Sequence, residues 1–533
     1  LKRKNRSRAA RTNTDAATAN EPSQPGPPDG NLLATARGGG IVFIGKLFTF
    51  LSRFVVAFLL ARILGAAHYG VYNLALSAAT IAGSVALIGL DAALVRYIAL
   101  WHSRKDTAGV WGAIQVGLTI TTVLSLLTGT AVFASAYWLA DQVFHDSELA
   151  PFLQLSAVIV PFLTLSDMLA GATRGFKTMH YMVLAQNFVQ PLVRVILIVI
   201  FAVIGLGVGQ AILIYGIADL SASVLLIYFL NKEFPLRRSL SSGRWEPREI
   251  LGFAIPLWLS DSMLTFRSSI QTVLLGSLNT VTTVGIFAVA SQLNLVADLV
   301  QTSVTTAVKP IIVEVHDKRE IRQLERLYQT ISKWIFAFNL PVFLIVVMFP
   351  TQILAVFGKS FTQGAEALTI LAWASLVDAA TGMCGTVIDY TGFPRLKLVN
   401  SVSRLVISIG LNLWLIPTWG MVGAAVAALV GEIVLNAARV IEVYVLFRIL
   451  PYNPSSLGPV AAGCVAVGVT FLANQVLPNG HPIVHVVLQA SLLLTVYVAL
   501  VARLGLAEED HIVLSHVRRR ATKRFGRFVP GLG

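Results

Sequence analysis

Arg53 and Arg267 each sit near the middle of a long apolar run, 214 positions apart. An arginine in such a run is costly unless it faces a wet cavity or a partner. Its planar fork of donors matches phosphate oxygens, so two of them facing one cavity would suit an anionic phosphate group. The other reading of each is an ion pair with a carboxylate on a neighbouring helix, which only fixes packing. Polar residues share their faces at spacings of three and four: Lys46 and Thr49 with Arg53; Asn73, Ser77, Thr80, Ser84 and Asp91 in the next run; Ser260 and Gln271 with Arg267; then Ser291, Asn294, Asp298, Thr302 and Thr305. Asn187, Gln190 and Arg194, and further on Ser401, Arg404 and Ser408, form two more such groups. Small polar residues also hydrogen-bond between helices, but their recurrence in corresponding runs favours a cavity. Arg53, Arg267, Lys46, Asn73, Ser77, Asn294, Gln271, Arg194 and Arg404 are therefore the expected ligand contacts, although Arg404 could equally snorkel to headgroups. Coupling to H⁺ or Na⁺ needs a carboxylate that can change protonation or hold a cation. Asp261 and Asp298, on the cavity runs, lead that set. Asp378 follows, with Asp167, Asp219 and Glu432 behind, and a structural ion pair is the competing role for each.

The elements that must position these groups are membrane-spanning helices. The 533 residues are 55% hydrophobic and 13% charged, about half the charge of a soluble domain. Runs of 18 or more apolar residues recur from Ile41 to Leu504, each long enough to span the hydrocarbon. Fourteen spans are expected: 40–64, 71–95, 109–138, 150–173, 180–204, 210–230, 250–277, 284–308, 331–351, 365–388, 396–416, 420–447, 457–476 and 483–504. The net charge of +14 does not indicate nucleic acid, because the basic residues lie mostly in the tails and alternate connections. Thirty Lys and Arg fall on one side and one, Lys359, on the other, which places both termini in the cytoplasm. No catalytic group, metal site or resident cofactor is expected. His481 and His485 lack a third ligand, and Gly205, Gly207 and Gly209 stand in no strand–turn–helix unit. The absence of a phosphate-binding loop of the Walker type leaves ATP out as direct energy source.

The chain also resembles itself at an offset near 215. Tyr69-Gly70-Val71-Tyr72 matches Val284-Gly285-Ile286-Phe287, Gly175-Phe176 matches Gly392-Phe393, and Gly207-Val208-Gly209 matches Met421-Val422-Gly423. Two like-oriented six-helix halves follow, related by an axis along the membrane normal, with the path between them. The expected organisation is a disordered basic tail over 1–37, a six-helix lobe over 38–235, a linker over 236–249, a second lobe over 250–450, two further helices over 451–505 and a basic tail over 506–533.

Ala61-Arg62-Ile63-Leu64-Gly65, the Gly89 to Arg96 segment, Phe253-Ala254-Ile255-Pro256-Leu257 and the Pro417 to Ala425 segment resemble the polysaccharide (lipid-linked oligosaccharide, O-antigen type) flippases. These belong to the multidrug/oligosaccharidyl-lipid/polysaccharide exporter superfamily. The resemblance implies an all-α, MATE-like fold and alternating access. It also implies translocation of an undecaprenyl-diphosphate-linked oligosaccharide from the inner to the outer leaflet of the cell membrane. Partners would be that lipid, the bilayer and polysaccharide assembly proteins. An ion-coupled multidrug antiporter and a lipid-linked peptidoglycan-precursor flippase share the fold, and cationic cargo is at odds with central arginines. A membrane glycosyl polymerase or ligase needs a larger outer loop than the dozen or so residues available.

Overall fold

The computed structural model describes residues 29–235, 243–476 and 482–504, and every regular element among them is helical. Helices are what apolar runs of this length must form, since each backbone donor has to be satisfied within its own segment. The helices are α1 (Asp29–Leu87), α2 (Leu90–Ser103), α3 (Thr107–Trp138), α4 (Ala150–Gly175), α5 (Met179–Met182), α6 (Gln190–Ile204), α7 (Val208–Glu233), α8 (Pro247–Leu278), α9 (Val281–Asp317) and α10 (Ile321–Met348). They continue with α11 (Pro350–Ala355), α12 (Ala365–Thr381), α13 (Cys384–Tyr390), α14 (Pro394–Phe447), α15 (Leu457–Val476) and α16 (Pro482–Leu504).

Among the described residues nine helices are long and apolar enough to cross a membrane, or ten with one pair bent by 52° at the α12–α13 break. Two of the nine, Leu47–Ser103 and Arg395–Phe447, each hold two of the expected spans. They double back at Gly65 (φ 73°) and Gly420 (φ 56°), left-handed backbone that glycine adopts without a Cβ penalty. Expected spans 7 and 8 fall within α8 and α9, which run 32 and 37 residues and are described only in part. Large apolar side chains such as Val203 (88% exposed) and Trp414 (71%) point outward along the helices. So much exposed apolar surface on helices of this length is a lipid-facing belt. The chain is a multi-pass membrane protein.

The cores set the shape. At the end away from the basic connections, one buried cluster crosses between the halves. It joins Leu60, Leu74 and Leu153 to Ile286, Val289, Leu354 and Ile416. At the opposite end there are two separate clusters, one around Leu90, Trp101 and Trp111 and another around Val308, Tyr328 and Val443. Ile250 and Ala254 of α8 are buried in the first of these, so the opening turns of α8 pack with the first half, ahead of Pro256. A fourth cluster, including Leu340, Phe343, Ala466 and Tyr497, holds α15 and α16 against α10.

Candidate functional site

A cavity of about 660 Å³ lies in the first half, running from Leu60 and Tyr69 to Asp91 and Ala92. Its walls come from α1, α4, α6 and α7, closed on one side by Leu257, Trp258 and Ser262 of α8 and by Gln292 of α9. Arg53 enters it from α1. Its side chain is exposed, and among the described residues it has no carboxylate within ion-pair distance.

Deeper, the Arg194 guanidinium meets Asp219 Oδ2 at 3.3 Å and lies 3.7 Å over the Tyr215 ring. Asp219 also accepts from the Gln190 amide. Both members of the pair are nearly buried, with side chains 12% and 8% exposed, where an unpaired charge would be strongly penalised. The Asp167 carboxylate accepts from Gln186 Nε2 at 3.0 Å, and Asp91 meets Arg174 at 3.5 Å. The chain here takes a wide π turn over Val183–Val189, which presents both Gln186 and Asn187 to the cavity. Such turns break the four-residue ladder and are frequent at functional sites. Asn73 lines the cavity and donates to its own helix at Tyr69 O, 2.7 Å away. Trp258 Nε1 donates to Ser84 O at 2.8 Å and fixes an indole on the wall.

The second half carries a matching group. Arg404 pairs with Glu432 Oε1, and Arg267 reaches the same oxygen at 3.8 Å. Asn436 Nδ2 donates to Asp378 Oδ1 at 3.1 Å, and the Cys384 thiol donates to Asn436 Oδ1 at 3.7 Å. Gln271 donates to Ala424 O at 3.0 Å, and Asn294 lines a small gap beside Asn339 and Phe343. Ser77 is half-buried on α1, away from the cavity lining.

The structure thus gathers Arg53, Asn73 and Arg194 around the cavity and gathers Arg267, Arg404 and Asp378 around Glu432. The side chains of Lys46, Asp261 and Asp298 lie outside the described residues. Sequence periodicity missed Gln186, Tyr215 and Trp258. Gln186 stands one position off the Asn187–Gln190–Arg194 face, and only the π turn brings it round. Trp258 lies on the turn after Pro256, a signal for a change of direction that does not say which way the ring points.

These two helical halves around a polar cavity define a transporter fold of the MATE type. Superposition shows the same architecture in a MATE family multidrug resistance transporter in its inward-facing conformation (TM-score 0.63, 18% identity, 75% of this chain and 94% of that one). It shows it again in the lipid II flippase MurJ, inward closed (0.70, 13%, 86% and 98%). The chain belongs to the polysaccharide biosynthesis protein family, whose model matches residues 35–316, and a MatE model matches 256–414. It is 22% identical to stage V sporulation protein B of Bacillus subtilis over 78% of this chain and 83% of that protein. It is 25% identical to the probable flippase AglR of Haloferax volcanii over 53% and 59%. The probable low-salt glycan biosynthesis flippase Agl15 of the same organism matches at 26% over 30% and 34%. Of these proteins, AglR, Agl15, MurJ and the MATE protein are named for flipping or transport, and none is named for catalysis.

Proposed function

We propose that the protein is a flippase that carries an undecaprenyl-diphosphate-linked oligosaccharide from the inner to the outer leaflet of the cell membrane by alternating access. Arg53 carries this reading. It is a cation in a membrane-embedded cavity with no carboxylate to neutralise it among the described residues, and a diphosphate would supply the missing charge with oxygens that fit its fork of donors. Asn73, Gln186, Asn187 and the Trp258 indole offer hydrogen bonds and an aromatic face to the first sugars. The volume lies within the usual range for a small-ligand site, enough for a headgroup and not for a long glycan. The names of AglR and Agl15 support the same cargo class.

The basic connections and tails would face the cytoplasm, so the cavity would load from that side, and polysaccharide assembly proteins would take up the product. Asp167, in the same cavity and bonded to Gln186 rather than to an arginine, supports coupling to H⁺ or Na⁺. It also favours a second reading, an antiporter for cationic drugs. Reconstituted vesicles separate the two. Arg53→Ala should slow the flipping of a lipid-linked oligosaccharide by roughly tenfold to a hundredfold, the loss of one hydrogen bond to a charged group, with Arg53→Lys intermediate. Unchanged flipping in Arg53→Ala, together with cation efflux abolished by Asp167→Asn, would replace the flippase by the antiporter.

A further inference from the structure

We propose that Gly70 and Gly285 form a reciprocal, backbone-to-backbone latch between the two halves that seals the cavity at the end away from the basic connections. A Cβ placed on Gly70 would overlap the Val281 carbonyl, and one on Gly285 would overlap the Ala66 carbonyl, both well inside the 3.0 Å that real Cβ atoms keep. Val281 precedes Gly285 by four residues and Ala66 precedes Gly70 by four. Each glycine therefore sits on the carbonyl one turn before the other, as a local two-fold axis requires. The two are the equivalent positions of the repeat, Tyr69-Gly70-Val71-Tyr72 against Val284-Gly285-Ile286-Phe287. Neither glycine has a positive φ, so close approach rather than backbone conformation accounts for the residue type. Missing side chains let two membrane helices approach at their backbones.

The position makes this contact a seal. Tyr69 and Tyr72, which flank Gly70 and Val71, line the cavity where it ends. The same end carries a large apolar core that crosses between the halves. Arg62 Nη1 donates to Val356 O at 3.5 Å there, and Phe357 receives Phe54 and Phe58 edge-on. Around it the contacts run through side chains; at the glycines it is backbone on backbone, so the smallest added group must push the halves apart. What the opening accomplishes rests on the alternating-access reading, but the contact itself is tested without cargo.

In a Cys464→Ser background, which leaves only the buried Cys384, Leu76→Cys puts a thiol on the cavity wall. Labelling with a membrane-impermeant maleimide from the side of the 66–70 and 279–281 connections reports opening. Gly70→Ala and Gly285→Ala should each raise the labelling rate roughly tenfold or more, because overpacking shifts the balance toward the separated state. The double variant should add little to either single one, since both substitutions break one contact. Gly410→Ala, with nothing within 4 Å of its Cβ position, should label like the parent. Parent-like labelling in both alanine variants overturns the latch. If either fails to reach the membrane, Arg62→Cys with Val356→Cys, bridged by a short bismaleimide in a chain with both glycines intact, should abolish labelling from that side and stop flipping. Normal flipping through the bridged protein overturns the proposal equally. Faster labelling in the alanine variants with no lipid-linked sugar moved by the parent supports the latch and counts against the cargo reading alone.

Discussion

The two halves hold nearly the same polar group in two different states. In the first, Arg194 on α6 pairs with Asp219 on α7, and α4 supplies Asp167. In the second, Arg404 pairs with Glu432, both on α14 across its bend at Gly420, and α12 supplies Asp378. Arg53 and Arg267 complete the set, yet Arg53 stands in the open cavity while Arg267 shares Glu432 with Arg404. One methylene separates the acids. Glu432 reaches far enough for one oxygen to serve two guanidinium groups, and the shorter Asp219 serves Arg194 alone. The two halves thus carry similar charges in different arrangements: Glu432 meets two arginines, Asp219 meets one, and Arg53 meets no carboxylate among the described residues.

The largest effect should come from removing the shared acid. Glu432→Leu strands Arg404 and removes the 3.8 Å contact of Arg267, and breaking a buried pair in this way typically costs about 3–5 kcal/mol. It should sharply reduce the folded protein recovered in detergent, read by size exclusion. Asp219→Leu strands Arg194 alone, which keeps its place over the Tyr215 ring, and should cost less. Equal losses would show that the halves do not differ in the way described. A smaller and more specific effect is expected from exchanging the acids. Glu432→Asp should give up the longer Arg267 contact before the Arg404 one, costing about 1.5–3 kcal/mol while the fold persists. Asp219→Glu should let the lengthened acid compete with cargo for the cavity arginines. Flipping should then fall in Asp219→Glu with thermal stability retained, and the reverse should hold for Glu432→Asp. A fall in stability of both to the same degree would remove chain length as the cause.

The repeat itself was legible in the sequence. Gly70 and Gly285 stand at matching positions, and Arg53 and Arg267 share nearly the same offset. Helix periodicity brought Asn73 and Arg194 to the cavity side. The ion pair, the competing reading for Arg53 and Arg267, describes Arg267 in the structure, and Arg194 and Arg404 are paired with carboxylates as well. What could not be read was which arginine stays apart. Arg53 and Arg267 occupy matching positions of the sequence, but Arg267 meets an acid more than 150 positions away, and periodicity carries no information about such a contact. Gln186 escaped for a local reason, because the π turn at Val183–Val189 resets the helical phase that the pattern relies on.

The smallest expected effect sharpens the contrast in the hydrogen bonds to the α4 and α12 aspartates. Gln186 and Asn436 each donate to one of them. Gln186 stands at the cavity wall, where water can take its place beside Asp167. Asn436 is fully buried, and it also receives the Cys384 thiol and lies 3.5 Å from Glu432 Oε2. Asn436→Leu therefore leaves buried groups without partners, at about 1–3 kcal/mol, while Gln186→Leu should cost less than about 1 kcal/mol because its partner stays wet. Thermal unfolding in detergent, followed by the accessibility of the buried Cys384 thiol, measures both. A Gln186→Leu loss as large as that of Asn436→Leu would mean that the first half is as dry as the second, and a dry cavity could not admit a charged headgroup to Arg53.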